Sequence, residues 1–257
     1  RLKIEVRASH ILLTFPSKVS PADTLRLYNE ILDLKRRLDE GADFKKLAMK
    51  HSKDPSVRMN GGDLGYFSSM QMVFQFEDAA YKAKVGDVVG PVRTKYGYHL
   101  IKVTGRRDNV GKIKAAHILL EIPDRANDSV KTALNDKANA IYKRLQNGED
   151  FAELASKFSD DVVSAKKGGE LEAFGSGRMV EEFEEAAFAL KNEGDISKPF
   201  LTQYGYHIVK LLKQLPIKPY NEIKSDIERK IKVDGRSNEA KKSFIEKLKL
   251  YYKLKEN

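Results

Sequence analysis

The sequence contains no cysteine and no tryptophan. The absence of cysteine excludes disulfide bonds, thiolate metal ligands and cysteine nucleophiles. No run of residues approaches the roughly 18 uncharged apolar positions that a membrane-spanning helix needs, so we expect no membrane span. Hydrophobic residues still make up 41% of the 257 positions, which is enough for packed cores, and a chain of this length is more typical of two domains than of one.

Acidic residues are the minority among the charged ones. Lys and Arg number 47 against 37 Asp and Glu, a net charge of +10, and half of that excess lies between Lys218 and the C-terminus. Such an excess can attract nucleic acid, anionic lipid or acidic protein clients. Because no aromatic stacking motif or recognition helix accompanies it, we do not expect a nucleic-acid partner.

An internal repeat organises most of the chain. The segment RASHILL at 7–13 recurs as KAAHILL at 114–120, a displacement of 107 positions. A displacement of 108 then pairs YGYH at 96–99 with YGYH at 204–207. A unit of about one hundred residues can bury a core of its own, whereas a solenoid repeat cannot. We therefore expect two independent globular domains.

Each unit has the same order of predicted elements: a strand, two helices, a short strand, a helix and two final strands. In the first unit the first strand covers 6–14, and the helix that opens after Ser20 ends at Gly41. Asp43 is the expected cap of the next helix. This order is typical of an α+β domain in which helices surround a small, mostly antiparallel sheet.

The predicted boundaries follow from the repeat. We expect a first domain over 1–107, a polar connector over 107–111, a second domain over 112–214 and an amphipathic helical segment over 215–257.

The C-terminal segment has an apolar stripe. Ile223, Ile227 and Ile231 recur every fourth residue, and a further helix is predicted over Ser243–Leu254. We favour helices docked on another surface, which is either a chaperone region that precedes Arg1 in a longer chain or a second copy of the chain in a self-associated form. The alternative is a basic amphipathic helix that binds a membrane surface or nucleic acid.

The histidines carry the strongest chemical signal. Four of the five lie at equivalent positions of the two units: His10 and His99 in the first, His117 and His207 in the second. Each pair joins the first strand of a unit to its last, so the imidazoles meet if those strands are neighbours. An aspartate also repeats, as Asp54 and Asp161, ahead of a glycine pair.

Three interpretations of this constellation stay open at this point. Two histidines and an aspartate would suit zinc or iron, but no two of them lie within one helical turn, so we expect no metal and no other cofactor. A serine hydrolase would need a nucleophile elbow and a repeated serine, and both are missing. The third interpretation is a hydrogen-bonded pair in a polar core, which is compatible with a functional role.

The order of five short blocks resembles that of a parvulin-type peptidyl-prolyl isomerase domain. The blocks are ASHILL, GADFKKLA, SKD, GGDLGYF with FEDA, and PVRTKYGYHLI, and the second unit repeats their order. Two such domains followed by a helical segment resemble the SurA-type foldases of the periplasm. The resemblance implies isomerisation of X-Pro bonds in unfolded or partly folded clients, among them outer-membrane and secreted proteins. The alternative is a peptide-binding chaperone, or holdase, that uses the same pockets without catalysis.

The resemblance also implies roles for particular residues. The implied catalytic residues are His10, Asp54 and His99 in the first unit and His117, Asp161 and His207 in the second. The implied proline-binding pockets consist of Leu64, Met72, Phe76, Tyr81 and Thr94 in the first unit and of Leu171, Met179, Phe183, Phe188 and Thr202 in the second.

Each of these assignments has a purely structural alternative. A methionine and a phenylalanine four positions apart usually face a core. Asp54 precedes Pro55, and an aspartate before a proline commonly starts a turn.

The second unit departs from the family pattern at one place. It has Glu172-Ala173 where the first has Gly65-Tyr66, and the family prefers glycine there. We expect both sites to be competent.

Overall fold

The computed structural model describes residues 2–233 together with 241, 244 and 245. It divides into two compact units, a first that contains β1–β4 and a second over Val110–Ile217. The elements of the first unit are β1 (Ile4–Thr14), α1 (Pro21–Asp39), α2 (Phe44–His51), α3 (Val57–Asn60), β2 (Asp63–Phe67), α4 (Phe74–Lys82), β3 (Val88–Arg93) and β4 (Gly97–Asp108).

Over its described residues, the second unit repeats this order without a counterpart of β2. The short strand predicted there is wrong, because only isolated bridges join Ile113 to Phe174 and Ala116 to Glu170. The elements of this unit are β5 (Lys112–Glu121), α5 (Asp128–Gln146), α6 (Phe151–Phe158), α7 (Val162–Ala165), α8 (Glu181–Ala189), β6 (Phe200–Thr202) and β7 (Gly205–Leu215). The helix α9 (Tyr220–Val233) follows and confirms a helix at the isoleucine stripe. The helix predicted over Ser243–Leu254 falls almost entirely outside the described residues.

Local sequence explains where the first helices begin. The Ser20 side chain accepts the Asp23 backbone N–H, and the Asp23 carboxylate accepts the Ser20 N–H in return, which forms a capping box at the start of α1. Asp43 caps α2 by accepting the Lys46 N–H at 2.7 Å, as predicted. The four-residue helices α3 and α7 were not predicted, because so short a helix has no periodic apolar pattern.

Both sheets are antiparallel. The strand order is β2-β1-β4-β3 in the first unit and β5-β7-β6 in the second. The first and last strands of each unit are therefore neighbours, which was the condition for the histidines to meet. The α+β class with antiparallel sheets flanked by helices is confirmed.

Alternation along β1 creates two cores. Ile11 and Leu13 pack against α1 and α2, whereas Val6 and Ala8 pack on the opposite face against α4. The same alternation places His10 on the face that looks toward α4. The second unit has the same pair of cores around β5.

The connector between the units is shorter than predicted. Ile4 pairs with Asp108 and Glu5 with Arg107, so β4 continues through two residues that the polar composition assigned to the connector. Only 109–111 separate β4 from β5. Within the described residues, no helix is both long enough and apolar enough to cross a bilayer.

Candidate active sites

The first site is built around a buried histidine pair. The β1–β4 register places His10 opposite Ile101 and His99 opposite Leu12, so the two imidazoles lie diagonally on one face. Their Nδ1 atoms are 3.4 Å apart, and the rings stack with centroids separated by 5.6 Å. Both side chains are buried. The structure thus brings together the two histidines predicted from the sequence.

Asp54 is held against this pair by the backbone of β1. The Lys53 N–H donates to the Leu12 carbonyl at 2.7 Å, and the Leu12 N–H donates to the Ser52 hydroxyl at 3.1 Å. These bonds place the Asp54 Oδ2 atom 2.5 Å from Nε2 of His10.

The second carboxylate oxygen of Asp54 binds Ser56. Its Oδ1 atom accepts the Ser56 N–H and hydroxyl, both at 2.8 Å. Asp54 therefore stabilises the turn before α3 with one oxygen and contacts the histidine pair with the other. These contacts are compatible with the structural role and with the functional one.

A glycine allows the following loop to close on β1. The His10 N–H donates to the Gly62 carbonyl at 2.8 Å, and a Cβ on Gly62 would lie 2.7 Å from the His10 carbonyl oxygen. Gly62 also has a φ of +90°, which a side chain disfavours. Gly169 makes the same approach to His117 in the second unit.

Thr94 completes a hydrogen-bonded chain. Its Oγ1 atom lies 2.8 Å from Nε2 of His99 and accepts the Tyr96 N–H at 3.1 Å. When His10 is neutral and donates Nε2–H to Asp54, its Nδ1 can only accept, so His99 must donate Nδ1–H. The Nε2 atom of His99 then accepts the Thr94 hydroxyl proton. A neutral His10 thus fixes one direction of hydrogen bonding from Tyr96 to Asp54.

The second site has the same core. His117 Nε2 lies 2.8 Å from Asp161 Oδ2, and His207 Nε2 lies 2.9 Å from Thr202 Oγ1. The His117 and His207 rings stack at 5.6 Å. Tyr204 donates its N–H to Thr202, as Tyr96 does to Thr94.

The second aspartate is anchored by a different serine. Ser164 donates its hydroxyl to Asp161 at 2.6 Å and lies 3.1 Å from Nε2 of His117. Its counterpart by the repeat is Val57 in the first unit, where Ser56 binds the aspartate instead. The Nδ1 atoms of His117 and His207 are buried without a hydrogen-bond partner. The two histidine pairs therefore differ in how firmly they are joined.

A phenylalanine lies over each histidine pair. The Phe76 ring meets His10 and His99 edge-on at centroid distances of 5.7 and 5.5 Å. Phe183 meets His117 and His207 in the same way at 5.7 and 5.4 Å. Each phenylalanine therefore stands between the polar pair and the apolar cluster of its unit.

The other residues predicted to form the proline-binding pockets lie at the edge of these clusters. Leu64, Met72, Leu171 and Met179 are partly buried hydrophobic residues packed against them. Tyr81 and Phe188 are further from the histidines, because Phe67 and Phe174 lie between them and the phenylalanines that contact the histidine pairs. The Tyr81 ring contacts Phe67, and its hydroxyl donates to the Ile4 carbonyl at 2.9 Å. The Phe188 ring contacts Phe174 at 5.9 Å.

Sequence reasoning missed one aromatic residue of the second site. Phe200 stacks on His207 at 5.6 Å and contacts Phe183 at 6.0 Å. Its counterpart is Val92, which pairs with His99 in the sheet as Phe200 pairs with His207. A search for identical repeat positions passes over such a pair. The strand register, once known, would have identified it.

Burial determines the charge of these groups. Burial and the neighbouring imidazole lower the pKa of His99 to about 3 and that of His207 to about 4. Burial also lowers the pKa of His117, against the opposing hydrogen bond to Asp161. His99 and His207 are therefore neutral at physiological pH.

The aspartates stay ionised. The hydrogen bond from His10 is the main cause that holds the pKa of Asp54 well below its usual value. Burial raises the pKa of Asp161, but hydrogen bonds from Ser164 and His117 outweigh it and lower the value to about 2. Within the described part of the chain, no three ionisable side chains are placed to hold a metal ion.

Each unit is thus a small α+β domain in which a buried histidine pair lies beneath a phenylalanine. One histidine of each pair is hydrogen-bonded to an aspartate and the other to a threonine. The family model of the PPIC-type PPIASE domain matches residues 2–107 and again 104–215. The chain therefore belongs to the PPIC-type peptidyl-prolyl isomerase domain family and contains two copies of the domain.

Several longer proteins are similar to this chain. Chaperone SurA of Nitrosococcus oceani is 35% identical over 209 residues, which cover 79% of this chain and 48% of the relative. Chaperone SurA of Chromohalobacter salexigens is 36% identical over 210 residues, which cover 79% and 47%. The chain spans about half the length of the curated relatives it matches.

One solved structure is similar to part of this chain. The crystal structure of the peptidylprolyl isomerase PrsA from Bacillus cereus has 38% sequence identity, covers 49% of this chain and 43% of its own, and superposes with a TM-score of 0.38.

Proposed function

We propose that this chain catalyses cis–trans isomerisation of X-Pro bonds in unfolded or partly folded protein clients and so assists their folding. The observation that carries the proposal is the buried histidine pair beneath a phenylalanine, present once in each unit. Membership of the isomerase domain family supports it. Because uncatalysed isomerisation takes tens of seconds or longer, such an activity accelerates a slow folding step.

The chemistry needs rotation but no bond cleavage. The uncatalysed barrier to rotation about the amide is about 18 to 20 kcal/mol. At the top of that barrier the amide has lost its resonance, so its carbonyl carries less charge and the linkage is less polar than in the planar states. A dry apolar pocket favours this twisted state. Only contacts that are stronger in the twisted than in the planar form lower the barrier.

We assign the apolar contacts to the residues around Phe76. Phe76, Met72 and Leu64 would hold the proline ring in the first unit, and Phe183, Met179 and Leu171 would do so in the second. Burial of a proline ring at about 25 cal/mol per Å² holds the substrate by a few kcal/mol.

We assign the polar wall to the histidine pair and its partners. His99 is neutral and Asp54 is ionised, so the wall carries a fixed pattern of donors and acceptors. Such preorganised groups act electrostatically, without reorientation during the reaction. Thr94 holds Nε2 of His99, and Asp54 holds Nε2 of His10. His207, Thr202, His117 and Asp161 would serve the second unit.

A binding function without catalysis is the second candidate. Val162, Val163 and Tyr204 are exposed apolar or aromatic side chains close in sequence to Asp161 and Thr202. An exposed apolar rim suits a holdase that grips extended clients. Two linked weak sites would raise the effective affinity for one long client.

We further propose a periplasmic location and outer-membrane or secreted clients. The sequence resemblance and the relatives named Chaperone SurA support both. We also propose that 1–107 and 112–214 act as separate domains, with the 215–257 segment docked on a further surface.

Exchange spectroscopy on a proline-containing peptide separates the candidates. The whole chain, at a tenth of the peptide concentration, should speed exchange between the cis and trans signals. Broadened peptide signals without faster exchange would favour the holdase. Unchanged exchange and unchanged signals would contradict both.

A further inference from the structure

A buried glutamate follows the pocket phenylalanine in both units. Glu77 comes directly after Phe76 in α4, and Glu184 directly after Phe183 in α8. Their exposed fractions are 0% and 8%. Burial of a carboxylate costs free energy unless hydrogen bonds compensate, so a repeated buried glutamate needs an explanation.

Both carboxylates bind the loop that precedes their own helix. Glu184 accepts the N–H groups of Gly177 at 3.1 Å, Arg178 at 2.7 Å and Met179 at 2.9 Å. Glu77 accepts the Met70 N–H at 2.6 Å. The carboxylate therefore fastens each loop to the first turn of the helix that carries the phenylalanine.

In the first unit the glutamate holds an unfavourable backbone conformation. Met70 has a φ of +69°, and its counterpart Gly177 has a φ of +77°. A residue with a Cβ atom adopts this left-handed region only at a cost in free energy that glycine does not have. The hydrogen bond to Glu77 opposes the tendency of Met70 to leave this conformation.

The same loops carry pocket methionines. Met72 lies two residues after Met70 and packs against the cluster that contains Phe76. Met179 donates its own N–H to Glu184 and packs against the cluster of Phe183. The position of each methionine relative to its phenylalanine thus depends on the loop that the glutamate binds.

We propose that Glu77 and Glu184 are positioning residues that fix the methionine loops and thereby set the affinity of each pocket for a proline ring. This inference rests on the proposed isomerase function. The competing explanation is general stabilisation: a glutamate in the first turn of a helix interacts favourably with the helix dipole wherever its side chain points.

Glutamine is the informative replacement. In Glu184→Gln one carboxylate oxygen becomes an NH2 group, which faces a backbone N–H, so at least one hydrogen bond is lost with little change in volume. Glu182→Gln is the matched control because it removes the same charge from an exposed position in the first turn of α8. General stabilisation through the helix dipole predicts similar effects for both variants.

The first measurement is independent of activity. The chain has five methionines, so methyl labelling of methionine gives five NMR signals. We expect Glu184→Gln to shift the Met179 signal and to leave those of Met49, Met59, Met70 and Met72 in place. Glu77→Gln should shift Met70 and Met72 but not Met179. Glu182→Gln should shift none of the five.

The second measurement is kinetic and needs one site at a time. In a chain whose second site is inactivated by Asp161→Asn, we expect Glu77→Gln to raise KM about tenfold with kcat changed less than twofold, as loss of a charged hydrogen bond would give. Adding Met70→Gly should recover at least half of that loss, because glycine needs no carboxylate to hold the left-handed conformation. A general loss of stability would not be rescued in this way.

The outcomes separate the inference from the proposed function. Unmoved methionine signals and an unchanged KM in folded variants would overturn the positioning role. Shifted signals in a chain that shows no isomerase activity would retain the loop assignment and overturn the function. If the glutamine variants do not fold, amide exchange in the unaltered protein decides: the Met70, Arg178 and Met179 amides should be protected, and exchange as fast as in an open loop would contradict the proposal.

Discussion

Phe200 stacks on His207 with ring centroids 5.6 Å apart and an interplanar angle of 18°, and the first unit has no equivalent of this contact because Val92 occupies the same place beside His99. His207 therefore lies between two rings, His117 on one side and Phe200 on the other. The two units thus present different apolar walls, in addition to the missing hydrogen bond between His117 and His207.

Replacing Phe200 by valine, or Val92 by phenylalanine, should change how strongly each site binds an aromatic X-Pro peptide. We expect Phe200→Val to destabilise the second unit by about 1 to 2 kcal/mol, since it removes a partly buried ring and two aromatic contacts. It should also weaken binding of an aromatic X-Pro peptide to that unit, and Val92→Phe should strengthen binding to the first. Calorimetric titration of each variant measures the change.

The neighbouring Leu201 supplies the control. It is 49% exposed and pairs with Tyr206, so Leu201→Ala should leave peptide binding unaltered. Equal effects of Phe200→Val and Leu201→Ala on binding would show that the stack has no role in specificity.

Asp54 should show two separable roles. Asn at this position keeps an oxygen that can accept from Ser56, but it removes the charge that faces His10, whereas Ala removes both. We expect Asp54→Asn to slow isomerisation by the first site with a small loss of stability, and Asp54→Ala to cost about 1 to 3 kcal/mol as well. Chemical denaturation and exchange spectroscopy measure the two effects.

Ser56→Ala is the complementary variant. It removes one bond to Asp54 Oδ1 without touching His10, so it should lower stability more than turnover. The assignment of an electrostatic role to Asp54 is wrong if Asp54→Asn turns over at the unaltered rate while melting at a lower temperature.

The free energy of unfolding should fall as the pH is lowered below about 6.5, before the aspartates take up protons. The pKa of His99 is about 3 and that of His207 about 4 in the folded protein, against about 6.5 in an unfolded chain. Below pH 6.5 the unfolded chain takes up protons that these folded histidines do not accept. Their contribution is therefore full above pH 6.5 and is lost toward pH 4, at up to about 1.4 kcal/mol per pH unit for each histidine.

Imidazole NMR signals test this directly. The His99 and His207 signals should stay at their neutral positions from pH 8 down to about pH 5, and replacement of His99 by Gln should reduce the pH dependence of unfolding. Titration of either signal near pH 6.5 would contradict the burial that the structure gives these rings.

The repeat predicts that the units fold separately. Each has its own sheet and its own pair of cores. We expect the fragments 1–110 and 111–215 each to unfold cooperatively and to give NMR spectra that superimpose on that of the whole chain. Broad, poorly dispersed spectra for either fragment would overturn the proposed domain boundaries.

Most of the fold could be predicted from the sequence, because the repeat identified residues that are distant in sequence but equivalent in the two units. The pairing of His10 with His99 needed only that β1 and β4 be neighbours, and the strand order β2-β1-β4-β3 makes them so. Asp54 could be placed near the pair only through resemblance, since its position depends on two bonds to the Leu12 backbone, one with the Ser52 hydroxyl and one with the Lys53 N–H.

Other features depend on three-dimensional contacts that leave no periodic signal. Phe200 was missed because its counterpart is Val92. Ser164 was missed because the first unit binds its aspartate through Ser56, one position earlier in the repeat. The left-handed backbone of Met70 had no sequence signal other than the glycine at 177.

Exchange spectroscopy on paired aspartate variants tests the central claim most directly. The account predicts that Asp54→Asn and Asp161→Asn each lower the rate at which the whole chain interconverts cis and trans X-Pro peptide, and that the double variant, still folded, loses most of it. A folded double variant that is as active as the unaltered chain would contradict the account.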